Sequence, residues 1–126
     1  WFPPNLESLY DSNINNPHSK LTDCSTLKTV SNLYINGGDF SDMFNGCSSL
    51  STLNVSMGTN ITSLARFLKG CSKITFLPLN EIGNNCKNIE EMFRGTRITS
   101  IDGLVFGTGI TNAANWAPTT LKEINR

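Results

Sequence analysis

The same seven-residue phrase returns along this chain at a nearly fixed interval, and self-similarity of that kind limits the fold more tightly than any local pattern. Cys24-Ser25-Thr26-Leu27-Lys28-Thr29-Val30, Cys47-Ser48-Ser49-Leu50-Ser51-Thr52-Leu53 and Cys71-Ser72-Lys73-Ile74-Thr75-Phe76-Leu77 are copies of C-S-x-L-x-x-L, 23 and 24 residues apart. Ile98-Thr99-Ser100-Ile101, Leu121-Lys122-Glu123-Ile124 and Leu6-Glu7-Ser8-Leu9 keep the apolar pair without the cysteine. The first apolar position therefore runs Leu6, Leu27, Leu50, Ile74, Ile98, Leu121, with spacings of 21, 23, 24, 24 and 23.

A second motif keeps step with the first: Asp42-Met43-Phe44-Asn45-Gly46, Arg66-Phe67-Leu68-Lys69-Gly70 and Glu91-Met92-Phe93-Arg94-Gly95. Leu21 and Trp116 fall at the matching place in the units before and after. Phe40, Leu64 and Ile89 precede Met43, Phe67 and Met92 by three residues, which is one helical turn and puts each pair on one face. Gly46, Gly70 and Gly95 then read as helix ends in the left-handed conformation that other side chains resist. The alternation in Leu53-Asn54-Val55 and Leu77-Pro78-Leu79 has the period of a strand. The repeat thus predicts an α/β solenoid of the leucine-rich-repeat class: about six repeats of 23–24 residues, a parallel sheet on one face and short helices or helical turns on the other. Each unit buries its apolar rows only against its neighbours, so an excised unit is not expected to fold.

Composition agrees with thin, renewed layers. The 126 residues are 38% apolar, against roughly 45–50% in an average globular domain, while 16 Asn, 13 Ser and 13 Thr supply a third of the chain. Ten basic residues balance ten acidic ones, so there is no strongly basic surface for nucleic acid. No run approaches the roughly 18 apolar residues of a membrane span, and nothing near Trp1 reads as a signal peptide. We expect one domain over residues 1–126, with 1–20 as an N-terminal cap or partial repeat and 21–126 as repeats. The start at Trp1 and the end just after Ile124 lead us to expect a segment of a longer protein. Trp1-Phe2-Pro3-Pro4 would form an apolar lid on the first unit, and the C-terminal edge would pair with further chain or another subunit.

The phrase Met43-Phe44-Asn45-Gly46-Cys47-Ser48-Ser49-Leu50-Ser51-Thr52-Leu53-Asn54-Val55 resembles the M-F-x-G-C-S-S-L-x-x-L-x-L signature of BspA-like leucine-rich repeats, which Arg66 to Leu79 and Glu91 to Ile101 match less fully. The resemblance implies large secreted or surface proteins, chiefly of bacteria and some protozoan parasites, whose array is an adhesion or binding surface with no active site. The chain departs from that pattern where cysteine is absent, in the units led by Ile98 and Leu121, and where Gly103, Gly107 and Gly109 loosen the register.

The candidate chemistry is sparse. Cys24, Cys47 and Cys71 share one repeat position, so they stack at about the 5 Å strand spacing with their Cβ atoms parallel, which favours a ladder of buried thiols over disulfides. Their spacing is unlike that of a zinc site, and no metal or other cofactor is expected. Cys86 is expected at a helix start in the core. His18 lies in a polar loop, where a nucleophilic pair with inward-facing Cys24 is not expected. Asp39, Asp42, Glu90 and Glu91 are expected on helix surfaces near N-termini, where negative charge is stabilising. Gly107-Thr108-Gly109 reads as a turn, not a phosphate loop. Asn54-Val55-Ser56 and Asn60-Ile61-Thr62 are glycosylation sequons of a kind that such a composition produces by chance.

A partner is therefore sought on the exposed strand face. Alternation turns Thr29, Thr52, Phe76, Ser100 and Glu123 outward as one row, and Ser31, Asn54, Pro78, Asp102 and Asn125 as the next. Phe76, the one large aromatic in these rows, is either the anchor for a partner or packed against Pro78 or a neighbouring long side chain. The expectation is a non-catalytic binding or adhesion module, extracellular or at a cell surface, that recognises a protein or glycan. The alternative is a structural spacer or assembly element of a filament, virion or larger surface complex, contacting neighbouring subunits or domains.

Overall fold

In the structure, a computed structural model that describes residues 5–122, backbone hydrogen bonds run between positions one repeat apart. Among the described residues there are five short strands: β1 (Ser8–Ile14), β2 (Thr29–Ile35), β3 (Gly38–Asp39), β4 (Thr52–Met57) and β5 (Ile61–Ser63). They make one parallel sheet in the order β1-β2-β4 and a second of β3 and β5. The register follows the sequence repeat, with Ser8 beside Thr29 and Thr29 beside Thr52. Isolated parallel bridges continue the second line of pairing from Ser63 to Asn88 and from Asn88 to Asn112.

Strict alternation does not survive along β2. Val30, Leu33 and Ile35 are all buried, a three-then-two spacing that a regular strand cannot give. The register shifts between Val30 and Leu33, and Asn32 takes a left-handed φ of 56°. The extra residue resets the phase, so that apolar residues on both sides of it face inward. Asp11 makes the same excursion in β1, with φ of 50°. Asn and Asp tolerate that region better than most residues, and the Asn32 Nδ2 donates to Asp11 Oδ1 at 2.8 Å.

The expected α/β solenoid with helices on one face is overturned: among the described residues there is no helix, and Asp42 to Gly46, Arg66 to Gly70 and Glu91 to Gly95 are chains of turns. The cause is competition for the backbone N–H groups. Asp42, Phe44 and Gly46 donate to the carbonyls of Ala65, Phe67 and Lys69 in the next repeat, at 2.9, 3.0 and 2.8 Å. Met43 and Asn45 close tight turns onto Phe40 and Asp42 at 3.3 and 3.2 Å. No N–H in this run is left for the i to i−4 bond of an α-helix. Side chains reinforce the choice: Asp39 Oδ1, Ser63 Oγ, Asn88 Oδ1 and Asn112 Oδ1 each accept from the N–H two residues on, at 2.8, 3.3, 2.9 and 3.1 Å. Such bonds offer the backbone an alternative to helix. Asp42, Arg66, Glu91 and Asn115 then turn left-handed, with φ of 64, 56, 52 and 54°, which stops any right-handed helix after one turn.

Leu77-Pro78-Leu79 also departs from expectation, since it forms no strand. Pro78 lacks the N–H that a ladder interior needs, and the segment joins β4 through the Val55 N–H to the Pro78 carbonyl at 3.0 Å. The core nonetheless follows the repeat. Leu27, Leu50, Ile74 and Ile98 are buried in one row, Phe40, Leu64 and Ile89 in a second, and Met43, Phe67 and Met92 in a third. Phe44 and Phe67 meet edge to face at 5.4 Å, and Phe93 and Trp116 at 6.3 Å. The four cysteines are buried thiols. Cys47 Sγ donates to Leu21 O and Cys71 Sγ to Phe44 O, each at 3.0 Å. Thr96 takes the same place in the following repeat, where its hydroxyl donates to Phe93 O at 2.8 Å. Cys86 is buried as expected but beside a turn, not at a helix start. The expected lid of Trp1 to Pro4, and the Glu123, Ile124 and Asn125 end of the last repeat, lie outside the described residues.

Candidate binding face

A shallow groove of about 460 Å³ crosses the strand face, where residues from four successive repeats meet. Its polar lining is Asn32, Asn54, Ser56, Asn80 and Asp102, and its apolar lining includes Leu33, Val55 and Leu79, which belong to the core. Three of the outward-row residues read from the sequence, Asn54, Pro78 and Asp102, thus line one concavity. Asn54 and Asp102 are exposed, whereas Pro78 is buried and forms part of the floor. Ser31, the fourth of that row, is half-buried and outside the groove, because the bulge puts Asn32 there in its stead.

The other row lies to one side. Thr52 and Phe76 line a second depression of about 260 Å³ with Ser51, Leu53, Ile74 and Thr75. Phe76 is 85% exposed, so the aromatic singled out as an anchor is presented to solvent. Thr29 and Ser100 are half-buried. Sequence reasoning missed Asn32, Ser56 and Asn80. Asn80 and Ser56 stand two residues beyond Pro78 and Asn54, so extending each outward row by one alternation would have found them, whereas Asn32 depends on the bulge.

Two of the three amides in the groove, those of Asn32 and Asn54, are already oriented. Asn54 Oδ1 accepts from the Asn32 backbone N–H, which points the Asn54 Nδ2 donors away from that bond. Asn32 Nδ2 is held by Asp11 Oδ1, leaving its Oδ1 as an acceptor. Asp102 is the charged residue of the lining, and its own N–H donates to Ser100 Oγ at 3.1 Å. The face therefore offers fixed donors and acceptors with one carboxylate.

Ionic groups concentrate elsewhere, on the turns. Arg66 donates to Asp42 through Nε at 2.9 Å and a second guanidinium nitrogen at 3.1 Å, and reaches Glu90 Oε1 at 3.3 Å. Lys69 and Arg94 pair with Glu91 at 2.7 and 2.6 Å. Burial pushes the Asp42 carboxyl up, but hydrogen bonds from Arg66 and Asn45 outweigh it and hold the group below its ordinary range. Asp39, Asp42, Glu90 and Glu91 thus serve turns and cross-repeat ion pairs, not the helix N-termini expected for them. Burial pushes the Cys47 and Cys71 thiols up to about 12, the opposite of what a nucleophile needs. Cys24 Sγ has the Leu6 carbonyl at 3.6 Å and the Thr26 hydroxyl at 3.8 Å as its polar neighbours, while His18 is exposed in a turn. Asn60 is exposed in the Thr59-Asn60 turn, and Gly109 lies in the expected turn with Thr108.

Among the described residues there is no group of three His, Cys, Asp or Glu side chains placed to hold a metal, and no helix long and apolar enough to cross a membrane. No family model, no curated protein and no solved structure matches the chain.

Proposed function

We propose that this chain is a non-catalytic binding or adhesion module of a surface or secreted protein, recognising a protein or glycan partner through the strand face. The observation that carries this reading is the groove to which each of four repeats contributes exposed polar side chains, Asn32, Asn54 with Ser56, Asn80 and Asp102, over a floor of core residues. A concave site with a few placed polar groups on an apolar base is the usual form of a recognition surface. The exposed Phe76 ring supports it, since aromatics dominate binding hot spots. The likeness of Met43 to Val55 to BspA-like repeats supports the surface or secreted setting.

The test is binding of fluorescent protein to intact cells and extracellular matrix, with an Asn54→Ala/Phe76→Ala/Asp102→Ala triple variant beside it. The reading expects wild-type binding that saturates and variant binding that does not, with both proteins equally monomeric. If the variant binds as wild type but no longer self-associates, the face is an assembly contact and the spacer alternative replaces the module.

A further inference from the structure

We infer that the occupant of the Asn32–Asn54–Asn80–Asp102 groove is a neutral oligosaccharide, an assignment that rests on the binding-module reading and narrows it to one ligand class. The first ground is what the groove presents. The β2 and β4 backbones are bonded to each other in the sheet, so a peptide gains no strand edge to extend there. Recognition falls to side chains, and those available are amides, a hydroxyl and a carboxylate, each able to bond sugar hydroxyls.

The second ground is geometry. Asn32, Asn54, Asn80 and Asp102 come from four successive repeats, which at the strand spacing sets the first and last about 14 Å apart. That is the reach of a short linear oligosaccharide laid across the repeats, meeting polar side chains at each step. Asn54 Oδ1 is committed to the Asn32 N–H, and Asn32 Nδ2 to Asp11, so neighbouring repeats offer an acceptor at Asn32 and a donor at Asn54 to hydroxyls that are both. The third ground is charge. The lining carries Asp102 and no cation, which repels sulfated, sialylated or uronic chains. Phe76, 85% exposed in the adjoining depression and two residues before Pro78 of the groove floor, offers a ring face to the C–H side of a sugar that runs past the groove, where the quadrupole is negative.

The experiment is a glycan array holding neutral and anionic oligosaccharides, probed with the labelled 126-residue chain. Each neutral hit is then titrated into isotopically labelled protein and followed by amide NMR. The inference expects neutral hits alone, with shifts centred on Asn32, Asn54, Ser56, Asn80 and Asp102. Asn80→Ala, whose side chain makes no bond that supports the turns, should weaken the titrated affinity roughly threefold to tenfold. Phe76→Ala should weaken it about tenfold or more, with both spectra otherwise preserved. Anionic hits alone, or shifts centred elsewhere, overturn the assignment. A blank array together with cell binding that the triple variant abolishes also overturns it, leaves the module reading intact and turns the partner into a protein. A blank array with no cell binding overturns both.

Discussion

Gly70 and Gly95 occupy the same place in successive repeats, with φ of 81 and 85°, yet alanine should cost different amounts at the two. A Cβ at Gly70 would sit 3.6 Å from Gly46 N and 3.7 Å from Gly46 Cα, ordinary contact distances. Gly70→Ala therefore carries little beyond the left-handed penalty, about 1–2 kcal/mol. At Gly95 the same atom would lie 3.0 Å from Gly70 N and 3.2 Å from Gly70 Cα. Both are backbone atoms, so the repeats must move apart, and overpacking adds roughly 1–3 kcal/mol. Urea unfolding at pH 7, followed by circular dichroism, should place Gly70→Ala about 1–2 kcal/mol below wild type and Gly95→Ala about 2–5 kcal/mol below, with unchanged slopes. Asparagine separates the two contributions, because it tolerates left-handed φ but still carries the Cβ. Gly70→Asn should recover most of the loss, and Gly95→Asn only part of it. Equal losses at the two positions, or a Gly70→Ala protein as stable as wild type, would refute this account of how successive repeats touch.

Cys47 and Cys71 should resist a disulfide reagent at pH 8 in the native protein and react at once in denaturant. Because burial raises both thiols from 9.0 to about 12, their contribution to stability is complete below pH 9 and lost as pH rises toward 12. Cys47→Ala should flatten that alkaline loss, and an unchanged profile would count against the burial argument. Arg66→Met removes the Asp42 and Glu90 pairs, whose side chains are about a third exposed, so the loss at pH 7 should be only about 0.5–1 kcal/mol. Since Asp42 is held below 3.8, its share of the gap between wild type and variant should be full above that pH and shrink as acid protonates the carboxylate. A gap that widened in acid would contradict it.

The part of the fold legible in the sequence is the part set by a residue's own chemistry at a fixed interval. The buried rows at Leu27, Leu50, Ile74 and Ile98 and the left-handed glycines at 70 and 95 follow from apolarity and from the missing Cβ. The helix reading failed at Phe40 to Gly46 because one buried face per three or four residues is equally the signature of a chain of turns. The two differ only in where the N–H groups go. Asp39, Ser63, Asn88 and Asn112 hinted at the answer through their side chains, but they resemble helix caps until the residue three positions on turns left-handed. Of the site, Asn54, Asp102 and Phe76 were legible as outward residues. Pro78 was misplaced because alternation assumes a strand that proline cannot join.

The sequence by itself therefore determined the repeat, the residues that stack and the direction in which strands pair. Those depend on which side chains recur at what interval, and the chain carries that information wherever it folds. Tertiary structure alone decided that alternate N–H groups bond across repeats instead of along a helix, and that a bulge at Asn32 brings its amide beside Asn54, into the groove that Asn80 and Asp102 also line. Both outcomes are contests between partners far apart in the chain, and only the neighbouring repeat, once in place, supplies the competing acceptor or the wall of the groove.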